Sequence, residues 1–65
     1  MEAWQKRVVE EKTELDLKID KLLAFIGSEK FEADVPIAEQ KRLRRQEMLM
    51  ELYSEVLAER IANFK

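Results

Sequence analysis

The segment Leu43-Arg44-Arg45-Gln46-Glu47-Met48-Leu49-Met50-Glu51-Leu52-Tyr53-Ser54-Glu55-Val56-Leu57 decides how this chain folds. Leu43, Met50 and Leu57 recur every seven residues, and Phe64 continues the series. That period is the mark of a helix with one apolar seam. Gln46, Tyr53 and Arg60 fall at alternate positions and read as members of the same seam. Leu49 and Val56 widen the stripe on one side, and Met48 and Leu52 carry it further round. Arg44, Glu47, Glu51, Ser54 and Glu55 form the polar side, with Ala58 and Ala62 among them. At about 100° per residue the apolar arc exceeds half the helix circumference. A helix with one neighbour needs only a narrow stripe, so this one requires at least two neighbours.

Outward from that segment, the helix extends over about 36–64, with Pro36 in its first turn and a start at Asp34 or Val35. A first helix is expected over about 2–26. There Trp4, Val8, Leu15, Ile19, Leu22 and Ile26 recur at intervals of three, four or seven, and Gly27 follows as a natural terminator. Residues 27–35 form a connector. Ser28 is placed to cap a short turn through Phe31, and Phe31 and Val35 are apolar enough to plug the end of the molecule. One Gly and one Pro are too few for a many-stranded fold, which needs frequent turns. The expected fold is all-α: a single domain over 1–65, an antiparallel two-helix hairpin. A hairpin supplies each helix with one neighbour only, so it is expected to assemble into a symmetric homo-oligomer, a dimer or tetramer with a helical-bundle core.

Composition points the same way. A 65-residue chain buries a small core and usually needs disulfides, a metal or partner subunits. It has no Cys and no His, which excludes disulfides and the usual zinc sites. With 12 basic and 14 acidic residues, the net charge of −2 argues against general attraction to nucleic acid or membranes. No apolar run reaches the ~18 residues of a membrane span, and Met-Glu-Ala-Trp-Gln at the N-terminus does not resemble a signal peptide. A cytoplasmic setting is expected. The commonest general base and thiol nucleophile are missing. Ser28 and Ser54 lack a nucleophile-elbow context. Carboxylate pairs such as Glu10–Glu11 and Glu14–Asp16 read as solvated helix surface. No P-loop, EF-hand or GxGxxG spacing occurs. Neither catalysis nor a cofactor is expected.

What chemistry the chain offers lies in its polar interruptions. Lys41, Arg42, Arg44 and Arg45 form a basic cluster: either a phosphate-binding patch, since Arg presents a planar fork of donors, or a solubilising stretch balanced by Glu39, Glu47 and Glu51. Arg7, Glu11 and Lys18 lie beside the first helix's stripe, and Gln46, Tyr53 and Arg60 lie within the second's. Burying such groups is costly unless they are paired. They could pair with one another and fix helix register, with Glu11 and Arg60 at similar heights. The other reading is that they line a ligand pocket between subunits. Arg7, Lys18 and Arg60 would then take phosphates, Trp4 and Tyr53 would stack on bases, and Gln46 would bond a base edge. Trp4 alone reads as an interface anchor or a stacking platform, and Met48 and Met50 as interface packing.

The stretches Arg7-Val8-Val9-Glu10-Glu11-Lys12, Leu15…Lys18…Leu22…Phe25-Ile26, Phe31…Pro36…Glu39-Gln40…Arg42-Leu43…Gln46 and Tyr53-Ser54…Val56-Leu57…Arg60-Ile61 resemble a widespread group of very small phage and prophage proteins. The resemblance spans nearly the whole chain. Small helical phage proteins of this kind include oligomeric sponges that sequester cyclic nucleotide signals of bacterial immunity, notably the cyclic dinucleotides of CBASS. The resemblance implies an anti-defence protein in the cytoplasm of the infected host, binding its ligand without cleaving it. A second reading is a module that docks its spare apolar face on a host protein and inhibits it. A third, a nucleic-acid-binding hairpin using 41–45, is opposed by the acidic net charge.

Overall fold

A computed structural model describes residues 1–65 as three helices: α1 over Ala3–Ile26, α2 over Glu29–Asp34 and α3 over Ile37–Ala62. The all-helical expectation holds, with a third, short helix where a connector was expected. Glu2 opens α1, its backbone N–H donating to the Gln5 side chain at 2.7 Å. At the other end the Gly27 N–H donates to the Leu23 carbonyl at 3.0 Å. The Ser28 hydroxyl then donates to the Phe25 carbonyl at 2.6 Å and accepts from the Phe31 N–H at 3.3 Å. One side chain thus closes α1 and caps α2, as Ser commonly does at a helix start. The cap expected of Ser28 is present, and it begins a six-residue helix rather than a turn.

The end of the molecule is sealed by Phe31, which is completely buried. Its ring meets Phe25 edge-on at 5.4 Å, and the Arg44 guanidinium lies 5.2 Å from its centroid. Val35 is half-buried beside it. Pro36 immediately precedes α3 instead of standing in its first turn, and its carbonyl accepts from the Gln40 N–H at 2.9 Å. Without an N–H of its own, Pro36 costs the helix start nothing. The helix stops at Ala62, two residues before the expected end. There Asn63 turns its side-chain amide back onto the Glu59 carbonyl at 2.8 Å.

Contacts between α1 and α3 run in opposite chain order. Trp4 stacks edge-on against Phe64 at 5.1 Å, Gln5 reaches the Lys65 carbonyl at 3.5 Å, and Lys12 and Asp16 meet Ser54. The two long helices therefore lie side by side and antiparallel, in a rod of 48 × 15 × 13 Å. Val8, Leu15 and Ile19 of α1 and Leu57 of α3 form one buried cluster, with Met50, Ile61 and Phe64 packed against it.

This packing corrects the seam of α3. Leu43, Met50, Leu57 and Phe64 do face α1, but the alternate positions belong to Glu47, Ser54 and Ile61. Gln46, Tyr53 and Arg60 are exposed, so the last three are not seam residues of the single chain. A residue three beyond Leu43 and one four beyond it are both helical neighbours of the stripe. What chooses between them is the opposite helix. Lys12 Nζ holds Asp16 at 2.7 Å and donates to Ser54 at 3.0 Å, while the Ser54 hydroxyl donates to Asp16 at 2.5 Å. That triad draws Ser54, which reads as surface, into the seam.

Candidate functional site on the outer face of α3

With its seam rotated toward Glu47 and Ser54, α3 turns a second stripe outward. Arg42, Gln46, Leu49, Tyr53, Val56 and Arg60 follow one another by four or three residues, the same spacing as the buried seam. Leu49, Leu52, Tyr53 and Val56 are each about half-exposed. At the N-terminal end of this stripe lies a shallow groove of about 460 Å³ lined by Arg42, Arg45, Gln46, Leu49, Met50 and Tyr53. Leu49, Met50 and the Tyr53 ring supply apolar surface, Gln46 an amide, and Arg42 and Arg45 permanent positive charge.

The Arg42 Nε donates to Glu39 at 2.7 Å, which steadies the guanidinium one turn before Gln46. The Gln46 amide has only a 4.0 Å contact with the Met50 sulfur, so its hydrogen-bonding capacity is free for a ligand. No carboxylate lines this groove. Two other hollows do contain acids: one of about 330 Å³ bears Asp16, Glu51 and Glu55, and one of about 610 Å³ bears Glu47 and Glu51. The larger of these also carries Lys41, Arg44 and Arg45, so the α3 groove is the one whose charged lining is wholly cationic and suits an anion best.

Of the residues predicted from sequence, Gln46 and Tyr53 come together here. They are joined by Arg42 and Arg45 from the basic cluster, which sequence reading left divided between phosphate binding and solubility. The other four stand apart from the groove: Trp4 at the far end of the rod on Phe64, Arg7 and Lys18 exposed on α1, and Arg60 seven residues beyond Tyr53. Seven residues is about 10 Å along a helix. The Glu11–Arg60 ion pair does not form; the ion pairs are Lys12–Asp16 and Arg42–Glu39. The signal that would have found Arg42 and Arg45 is their spacing from Leu49 and Tyr53 on the second stripe.

Two carboxylates in the seam have shifted acidity. Hydrogen bonds from Lys12 and then Ser54 hold Asp16 below the ordinary carboxylate range. Glu47 is pushed up, first by burial and then by the charge of Glu51, and its Oε2 is shielded from solvent without a hydrogen-bond partner. Neither carboxylate belongs to the groove. No group of three or more acidic side chains is placed to hold a metal ion, and no helix is long and apolar enough to cross a membrane.

Three helices with an outward groove on α3 make this a small all-helical protein. Comparison with known proteins gives its kind: residues 2–63 match the family model of Sequestin, and the chain belongs to that family. It is 46% identical over 65 residues, all of both chains, to an uncharacterized 7.5 kDa protein in the denB–rIIB intergenic region of Enterobacteria phage T4. This places it in a family of small phage proteins. No solved structure matches it.

Proposed function

We propose that this protein binds and sequesters a cyclic nucleotide immune signal in the cytoplasm of a phage-infected bacterium, acting as a homo-oligomeric sponge without cleaving its ligand. The family description, Sequestin, supports sequestration. The observation that carries the ligand class is the α3 groove: two guanidinium groups beside an exposed aromatic ring and a free amide, with no carboxylate among the lining residues. Arg42 pairs with phosphate oxygens through charge-assisted hydrogen bonds, and Arg45 adds its positive charge at the groove's edge. Tyr53 stacks on a base and Gln46 reads its edge. Binding without turnover is the chemistry these groups support, since none is a nucleophile activated by a base.

Thermal denaturation with a panel of cyclic di- and trinucleotides tests the proposal. A ligand at 100 times its Kd stabilises the native state by about 2.7 kcal/mol. In a chain of this length that is a rise on the order of 10 °C in melting temperature. The double variant Arg42→Ala/Arg45→Ala is expected to abolish the rise. The nucleotide is expected back intact after the protein is heated and removed. No shift with any member of the panel would refute the assignment. Inhibition of a host protein is the second reading, and the exposed Leu49, Leu52 and Val56 are what favour it. Its mark is a stoichiometric complex with one host protein that survives the Arg42→Ala/Arg45→Ala change.

A further inference from the structure

We infer that α3 packs antiparallel against α3 of a second copy across a two-fold axis at Leu52, and that Arg60 of the second copy completes the groove formed by Arg42, Gln46 and Tyr53. The first observation is charge. Residues 37–50 of α3 carry four cations (Lys41, Arg42, Arg44, Arg45) and two anions, a balance of +2, whereas residues 51–62 carry three anions (Glu51, Glu55, Glu59) and Arg60, a balance of −2. The helix is basic in its first half and acidic in its second. A parallel partner would set like charges together; an antiparallel one sets each half against its complement.

The second observation is register. Arg45, Leu52 and Glu59 are seven residues apart, so they lie along one line on the side of α3 away from α1. With Leu52 on the axis, Arg45 of each copy stands opposite Glu59 of the other, and Met48 opposite Val56. Arg45 and Glu59 have no ion partner in their own chain, and Met48, Leu52 and Val56 are each about half-exposed. The two ion pairs and the apolar centre are thus all satisfied by one symmetric arrangement, the isologous contact typical of homodimers.

The third observation joins this interface to the groove. Arg42, Gln46, Tyr53 and Arg60 all follow one edge of the outward face. Two antiparallel right-handed helices bring the same edge of each to the same side of the pair. The register that opposes Arg45 to Glu59 sets Arg60 of the second copy level with Arg44, between Arg42 and Gln46. Each end of the dimer then holds a groove with guanidinium groups from both chains, and a bound dianion relieves their mutual repulsion. This last step rests on the nucleotide reading above; the helix pairing does not.

The chain has no Cys, so single cysteines report the geometry cleanly. Under mild oxidation L52C is expected to give a disulfide-linked dimer. R45C and E59C alone are expected to stay largely uncrosslinked, and a mixture of the two to link. Crosslinking of R45C to itself as efficient as that of L52C overturns the antiparallel register. Wild-type protein that sediments as a monomer at about 100 μM, a concentration ample for a micromolar dimer, overturns the pairing altogether. Charge exchange gives an independent measure: Arg45→Glu and Glu59→Arg each weaken association, and the double variant restores it. For the groove, Arg60→Ala is expected to lower affinity for cyclic di-AMP or cyclic GMP–AMP about tenfold while the dimer persists. Unchanged affinity in a dimeric Arg60→Ala protein removes Arg60 from the groove and leaves the nucleotide reading standing. If no nucleotide binds, that reading fails, and the cysteine results still decide the helix pairing.

Discussion

Glu47 is the residue at which folding and solvation conflict most directly. Its position four beyond Leu43 puts it in the buried seam, its Oε2 lacks a hydrogen-bond partner, and burial together with Glu51 raises its pKa. A carboxylate whose folded pKa lies above its unfolded one contributes favourably below the unfolded value, 4.5, and that contribution is lost as pH rises through the folded pKa. At neutral pH the ionised group is therefore a liability. Glu47→Gln keeps the shape and removes the charge, so it is expected to raise the melting temperature at pH 7. The advantage should shrink toward zero below pH 4.5, where wild-type Glu47 is protonated in both states. Asp16 behaves oppositely. Its lowered pKa gives stability above 3.8 that disappears as pH falls through the folded value, so Asp16→Asn should destabilise at neutral pH and matter less in acid. Thermal melts of both variants between pH 3 and pH 7 compare them directly. Opposite signs at pH 7 are the expected outcome; the same sign would refute the seam's account of at least one residue.

Among the elements, α2 was the least legible. Its six residues are too few to show a helical period, and no isolated helix that short is stable in water. Its two anchors are chemical. Ser28 could be read as a cap from its type and position. Gln40 could not, because its role depends on a chain reversal. The buried Gln40 side chain donates to the Val35 carbonyl at 2.8 Å and lies within 3.3 Å and 3.4 Å of the Phe31 and Glu32 carbonyls. The Glu32 and Val35 carbonyls are among those that the end of α2 leaves unpaired, while the Phe31 carbonyl also accepts from the Val35 N–H at 3.2 Å. Gln40→Ala should cost about 1–3 kcal/mol, the range for leaving buried polar groups unsatisfied. Faster amide exchange at Phe31 and Val35, with little change at the centres of α1 and α3, would locate the loss in α2. The long helices were legible because their apolar period persists over several turns. The rotation of α3 was not, because positions three and four beyond each seam residue are equivalent until α1 is placed against them. The same ambiguity explains the site: Gln46 and Tyr53 were recognised as unusual, yet as buried polar groups instead of members of an outward stripe shared with Arg42 and Arg45.

For the whole molecule the decisive quantity is how little the single chain buries. Seven residues are buried, and the contiguous apolar core is Val8, Leu15, Ile19 and Leu57. Excess apolar surface was readable from composition and periodicity; which residues would remain exposed required the packing of α1 on α3. Leu57 is completely buried in the cluster it forms with Val8, Leu15 and Ile19, so Leu57→Ala removes both its burial and the support it gives that cluster, at a cost of about 2–5 kcal/mol. Typical stability per residue puts a chain of this length near 3–10 kcal/mol in total, so that single change removes a large fraction. A control of similar chemistry isolates the cause: Ile37 opens α3 and is 67% exposed, and Ile37→Ala should stay within about 0.5 kcal/mol of wild type. Circular dichroism melts at 222 nm are expected to place Leu57→Ala about 10 °C or more below wild type and Ile37→Ala beside it. Equal melting temperatures for Leu57→Ala and wild type would mean that contacts outside the α1–α3 seam hold the fold.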